Sequence, residues 1–180
     1  LILCGDTPLL RGETLDDFLG AHEREGAACS VMTARIDDPF GYGRIVRGQD
    51  GSLLRIVEQR DASPEEQTIS EINSGVYCFD LDFLREAVTE LRTDNDQGEF
   101  YLTDTVAICN EKGKKAMAWA VNDFEEVKGI NDRKQLSEAG KILFRRKNDA
   151  LMKEGVTVIS PETTFVDPDA EIGYDTILEP

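Results

Sequence analysis

The side chains best suited to chemistry in this chain carry oxygens and sit where apolar stretches end. Leu1-Ile2-Leu3-Cys4 runs straight into Gly5-Asp6, and Pro8 closes the stretch. Such an unbroken apolar run predicts a strand buried on both faces, as in parallel sheets. Open α/β sheets take their ligands at the carboxyl ends of such strands, which makes Asp6 the first candidate carboxylate. Gly5 would let backbone approach a ligand closely. An Asp before Thr-Pro equally suits a turn cap, and the local pattern leaves both readings open.

Four further stretches hold candidates, and one of them breaks the rule of the element that holds it. Asn73-Ser74-Gly75 lies inside the apolar stretch 69–79, although Asn and Gly both disfavour strands. A broken local rule inside a core element marks either a functional site or a β-bulge. Gly41-Tyr42-Gly43 feeds a strand at Arg44-Ile45-Val46, as a loop that turns close to a ligand or as a plain hairpin loop. Val57-Glu58-Gln59-Arg60-Asp61 is a charged strand exit, and Asn131 or Asp132 can cap a following helix.

The elements that must position these residues follow from periodicity. Leu15, Phe18, Leu19 and His22 share one face of a helix over 13–25, closed by Gly26. Ala28 to Ile36 is the next buried strand, and strand, helix, strand with short joints predicts a right-handed βαβ unit and a mainly parallel sheet. Gln49-Asp50-Gly51-Ser52 turns a hairpin into a strand over 53–58. A helix is expected over 82–91, the run 98–106 leads into another that reaches Cys109 or Lys112, and a short strand over 116–121 holds Trp119. The span 63–66 reads as a helix start or a loop. A long helix over 137–154 follows, ended by Gly155. Beyond it, Ala170-Glu171-Ile172-Gly173-Tyr174-Asp175-Thr176-Ile177 has the spacing of one hexapeptide β-helix turn. A single such turn cannot bury its own face.

Composition narrows the partners. With 36 acidic against 20 basic residues and a net charge of −16 over 180 residues, neither nucleic acid nor an anionic membrane suits the surface. A phosphorylated small molecule remains compatible where a metal ion supplies positive charge locally. Cys4, Cys29, Cys78 and Cys109 form no CxxC pair and read as reduced core residues of a cytoplasmic protein. The one histidine, His22, reads as a surface residue. No apolar run approaches 18 residues, so no membrane span is expected.

Taken together, the runs Cys4-Gly5-Asp6-Thr7-Pro8-Leu9, Gly41-Tyr42-Gly43-Arg44-Ile45, Ile56-Val57-Glu58, Glu71-Ile72-Asn73-Ser74-Gly75, Gly98-Glu99-Phe100-Tyr101-Leu102-Thr103-Asp104 and Gly129-Ile130-Asn131-Asp132-Arg133 resemble the sugar-nucleotide pyrophosphorylases. The nearest group is the bacterial bifunctional UDP-N-acetylglucosamine pyrophosphorylases / glucosamine-1-phosphate N-acetyltransferases. The resemblance covers nearly the whole chain, in order. It implies an α/β fold: a partial Rossmann-like nucleotidyltransferase, then a linker helix and the first turn of a left-handed parallel β-helix. The corresponding spans are 1–136, 137–155 and 156–180.

The resemblance also implies a reaction, N-acetylglucosamine 1-phosphate plus UTP giving UDP-N-acetylglucosamine and pyrophosphate. Positions matching Asp6 and Asn131 hold Mg²⁺. Positions matching Gly43, Glu58, Asn73 and Asn131 contact the sugar nucleotide, with Thr103 near the sugar phosphate. Cys4 and Gly5 contribute backbone. No covalent catalytic residue is implied. A homo-oligomer is expected, a trimer in the full-length family, with self-association readable by light scattering.

Two departures bear on this. Cys4 stands where Tyr is common, and neither the glycine-rich Gly-Thr-Arg-Met phosphate loop nor the uracil-recognising segment occurs in the 180 residues. A fragment of the pyrophosphorylase domain, inactive alone, is therefore expected. The competing expectations are a pyrophosphorylase for another hexose 1-phosphate and a non-catalytic binding module of the same fold.

Overall fold

Six consecutive buried residues make β1 (Cys29–Arg35) the axis of the fold; only Arg35 is exposed. The computed structural model describes residues 1–180 and divides into two compact units, Leu1–Lys128 and Gly129–Pro180. In the first, β1 runs through a five-stranded sheet with β2 (Arg44–Arg47), β3 (Leu53–Val57), β4 (Glu71–Phe79) and β5 (Ala116–Ala120). The spatial order is β3-β2-β4-β1-β5. Helix α1 (Gly12–Glu25) covers one face, and α2 (Leu81–Ala87) with α3 (Thr105–Glu111) covers the other. Alternate residues of β1 therefore enter two cores. Cys29 and Val31 pack with Ile45, Ile56, Tyr77, Phe83 and Val106. Met32 and Ala34 pack with Phe18, Ile72, Val76 and Val127. A strand covered on both faces reads as an unbroken apolar run.

The mixed α/β expectation holds, but the mainly parallel sheet does not. Only β1 and β5 pair in parallel; β1–β4, β2–β3 and β2–β4 are antiparallel. The reason is that β4 enters between β1 and β2 from the opposite direction. The Leu1–Leu3 run also differs from a doubly buried strand. It touches the sheet through one antiparallel bridge, Ile2 to Tyr77 of β4, closed by hydrogen bonds of 2.8 and 3.0 Å. Leu1 and Leu3 are exposed. Ile2 and β1 thus flank β4 on opposite sides, and the strand–helix–strand path straddles it.

Local chemistry explains the element ends. Gly26 caps α1 in the left-handed region (φ 59°). The hairpin turn at 48–52 uses Gly51 at φ 83°. Ser63 and Glu66 exchange hydrogen bonds in a capping box at the 3₁₀ turn Glu66–Thr68. Asp80 caps α2 through the Phe83 N–H (2.9 Å), and this helix ends at Ala87, short of the expected Leu91. His22 is not a free surface residue: its Nδ1 lies 2.7 Å from the Ser30 hydroxyl, which is fully buried in β1.

In the second unit, α4 (Arg133–Lys153) starts four residues earlier than its apolar stripe predicts, because Asp132 accepts from the Gln135 N–H (2.7 Å). After it, β6 (Thr157–Val158) and β7 (Ile177–Leu178) pair in parallel. Leu151, Val156, Val158 and Val166 fill the space inside this coil. Asn148, fully buried, donates to the carbonyls of Pro161 (3.0 Å) and Thr164 (2.8 Å) and pins the coil to the helix.

Gly155 turns the chain at φ 91°, and a Cβ there would run into the Tyr174 ring. Gly155→Ala is expected to lower the stability of this unit by about 1–2 kcal/mol. Amide exchange around 155–158 reads this directly, and unchanged protection would refute it.

Candidate functional site

The register of three strands brings the candidate residues into one row. Arg44 of β2 lies opposite Val57 of β3 on one side and Ile72 of β4 on the other. In antiparallel neighbours, the residue before Arg44 then meets the residues after Val57 and Ile72. Those three are Gly43, Glu58 and Asn73. The Asn73 N–H donates to the Gly43 carbonyl at 2.9 Å. A Cβ on Gly43 would stand 3.3 and 3.4 Å from the two Glu58 carboxylate oxygens. The glycine therefore keeps open a space in front of that carboxylate.

The loop before Gly43 is laced in place. Gln59 Oε1 accepts from the Gly41 N–H (3.0 Å) and from Arg44 Nη2 (2.7 Å). The Arg44 side chain, 1% exposed, also donates to the Tyr42 carbonyl. Phe40 N–H reaches the Asp38 carboxylate. Sequence alone does not mark Gln59 or Arg44 as the fastening of this loop.

Asn73-Ser74-Gly75 is a bulge as well as a candidate site. The β1–β4 register shifts between Val31 and Thr33, and Gly75 takes φ 82°. Ser74 Oγ donates to the Met32 carbonyl (2.7 Å) and accepts from the Val76 N–H (3.2 Å). Asn73 Oδ1 accepts from the Gly75 N–H (3.0 Å), which aims the amide. The Gly75 carbonyl accepts weakly from Cys4 Sγ (3.4 Å). A Cβ at Gly75 would come within 2.6 Å of that sulfur, so this position needs glycine twice over.

Thr103, in the 3₁₀ turn Leu102–Asp104 ahead of α3, faces Glu58 from another layer. Its hydroxyl and that of Tyr77 are fully buried, with no partner in hydrogen-bonding geometry. Burial pushes the Glu58 carboxyl up; the Thr103 hydroxyl opposes the rise, and Asp61 and Asp104 add to it. Asp104 is itself raised, by burial and then by Asp61. Burial and Asp6 raise the Cys4 thiol. Tyr77 is held well above an ordinary tyrosine, first by burial.

The first unit thus gathers Cys4, Gly43, Glu58, Asn73 and Thr103. Gly5 and Asp6 follow in an exposed turn, where the Thr7 hydroxyl donates to the Cys4 carbonyl (3.0 Å). Asp6 lies near enough to raise both Cys4 and Tyr42. Asn131 belongs to the second unit, where it is exposed and its N–H donates to Gln135 Oε1 (2.6 Å). Tyr77 is the neighbour that sequence reading missed, since a Tyr in an apolar strand looks like core.

The family described as nucleotidyl transferase matches residues 1–127, all but one residue of the first unit. The chain belongs to the nucleotidyl transferase family. Among curated relatives, the bifunctional protein GlmU of Pelobacter propionicus is 52% identical over all 180 residues. The proteins of the same name from Acetivibrio thermocellus and Lactobacillus delbrueckii subsp. bulgaricus are each 50% identical, over 100% and 99% of the chain. The chain spans 39% of the length of each of these three. No helix of this nucleotidyl transferase family member is long and apolar enough to cross a membrane.

Proposed function

We propose that this chain carries the sugar-holding side of a uridylyltransferase that makes UDP-N-acetylglucosamine and pyrophosphate from N-acetylglucosamine 1-phosphate and UTP. The observation that carries the reading is the row Gly43–Glu58–Asn73 with the buried Thr103 hydroxyl facing the Glu58 carboxylate. A bound polyol would give these polar groups further partners. Glu58 accepts from sugar hydroxyls, the Asn73 amide donates, and the Gly43 backbone lets the ring come close. The sugar phosphate oxygen attacks the α-phosphorus of UTP as the bond to the β-phosphate oxygen breaks. Positioning dominates such a step.

The acidic surroundings of the site, Glu58 with Asp61 and Asp104, would repel phosphates. The donor set fits a magnesium ion. Asp6 offers one carboxylate in an exposed turn of the first unit. Mg²⁺ favours few protein ligands, with water and phosphate oxygens completing its shell. Held at Asp6, it would neutralise charge on the transferring phosphate. On the same reading, α4 is a linker helix and the β6–β7 coil the first turn of a left-handed β-helix.

Calorimetric titration of the chain with UDP-N-acetylglucosamine, with and without Mg²⁺, tests this. Saturable heat that UDP-glucose does not match is expected, stronger with the ion. No binding in either condition would overturn the reading.

A further inference from the structure

Tyr77 lies in β4 with Ile2 on one side and Val31 on the other. Its ring stacks on Phe79, 5.6 Å between centroids and 9° between planes, and packs with Val31, Ile45, Ile56 and Phe83. Phenylalanine would fill this volume as well, so packing gives no reason for the hydroxyl. Yet the hydroxyl is there, fully buried and without a partner in hydrogen-bonding geometry. Asn73 shares β4 with Tyr77, and Ile56, which packs in the same core cluster as the Tyr77 ring, lies with the Glu58 carboxylate on one side of Gly43; beyond burial, the Glu58 charge raises the phenol and the Asn73 amide lowers it.

We propose that Tyr77 is a positioning residue, whose hydroxyl joins the Asn73 amide and the Glu58 carboxylate into one hydrogen-bonded array when a sugar closes on them. The inference rests on the sugar-binding reading above. Its chemistry is set by what each neighbour has left to offer. Asn73 Oδ1 is already engaged by the Gly75 N–H, so the amide presents its N–H groups, and the Tyr77 oxygen accepts one. The Tyr77 O–H then donates to the carboxylate. Burial keeps the phenol protonated, so this donor persists across the working pH range. With Thr103 facing the same carboxylate, two neutral hydroxyls fix its plane and leave its remaining lone pairs to sugar hydroxyls. Asn73 shares β4 with Tyr77, while Glu58 follows β3, with β2 between the two strands.

The test is a double-mutant cycle on UDP-N-acetylglucosamine affinity with Tyr77→Phe, Glu58→Gln and the pair. Tyr77→Phe alone is expected to weaken binding about tenfold, one charge-assisted hydrogen bond. In the Glu58→Gln background it is expected to add little, because the group it orients is gone. The same tenfold loss in both backgrounds would make the hydroxyl merely structural and overturn the proposal. So would wild-type affinity in Tyr77→Phe, or a Tyr77→Phe chain that does not fold. Should the unmodified chain fail to bind, the sugar-binding reading itself fails. Binding that is lost only in Glu58→Gln leaves that reading standing and removes Tyr77 alone.

Discussion

Replacing Glu71 with alanine is expected to lower the stability of the first unit by about 2–4 kcal/mol. Glu71 is 4% exposed at the start of β4. Its carboxylate takes Arg47 in a two-pronged grip, Nε at 2.9 Å and Nη2 at 2.6 Å. It also accepts from the Thr33 hydroxyl at 2.8 Å and lies 3.5 Å from Arg35. One side chain thus ties β4 to β1 and β2, the two strands that flank it. Alanine leaves the fully buried Thr33 hydroxyl unpaired and two guanidinium groups without a counter-charge.

Arg47 and Arg35 retain access to water, which keeps the cost below that of a sealed ion pair. The melting temperature is expected to fall by roughly 10 °C. Burial pushes the Glu71 carboxyl up, but the Arg47 and Thr33 hydrogen bonds outweigh it and hold the group below its ordinary range. A lowered carboxyl contributes stability above its unfolded pKa and loses it as pH falls through the folded value. Wild type and Glu71→Ala should therefore converge in strong acid and separate towards neutrality. Parallel curves across that range would refute the clamp.

What the amino-acid order discloses here is local. Helix α1, the hairpin, the Trp119 strand and the long helix all follow from apolar period and from Gly and Asp at their ends. Asn73-Ser74-Gly75 betrays itself as a broken strand rule, and the structure shows why: a bulge, with Gly75 at positive φ pressed against Cys4. Strand direction is not local. Nothing in residues 71–79 says that β4 will insert antiparallel between β1 and β2, and so the parallel expectation fails. Glu71 shows the same limit, because its partners Thr33 and Arg47 lie 38 and 24 positions away. Tyr77 was hidden more deeply. In an apolar run an aromatic reads as core, and core it is; only its hydroxyl, buried without a partner in hydrogen-bonding geometry, departs from that.

The other large effect is expected at the ligand. Glu58→Gln should weaken UDP-N-acetylglucosamine binding about 100-fold, the loss of two hydrogen bonds to a charged acceptor. The substitution keeps the shape that fills the space before Gly43, so the fold should persist. The pH dependence separates binding from stability. Burial first, then Asp61 and Asp104, raise the Glu58 carboxyl above its unfolded value against the pull of Thr103, and Tyr77 and Tyr101 also face it. A raised carboxyl opposes folding while ionised, and that opposition disappears as pH falls from the raised value towards the ordinary one. Affinity runs the opposite way, because the ionised form is the one that accepts from two sugar hydroxyls. In the wild type, then, acidification just above the ordinary glutamate range should weaken binding while the Glu58 contribution to stability improves. In Glu58→Gln both trends should vanish together. Calorimetry and thermal melts over the same pH series read the two at once. Full-strength binding by Glu58→Gln, or an affinity in wild type that ignores this window, would remove Glu58 from the sugar site.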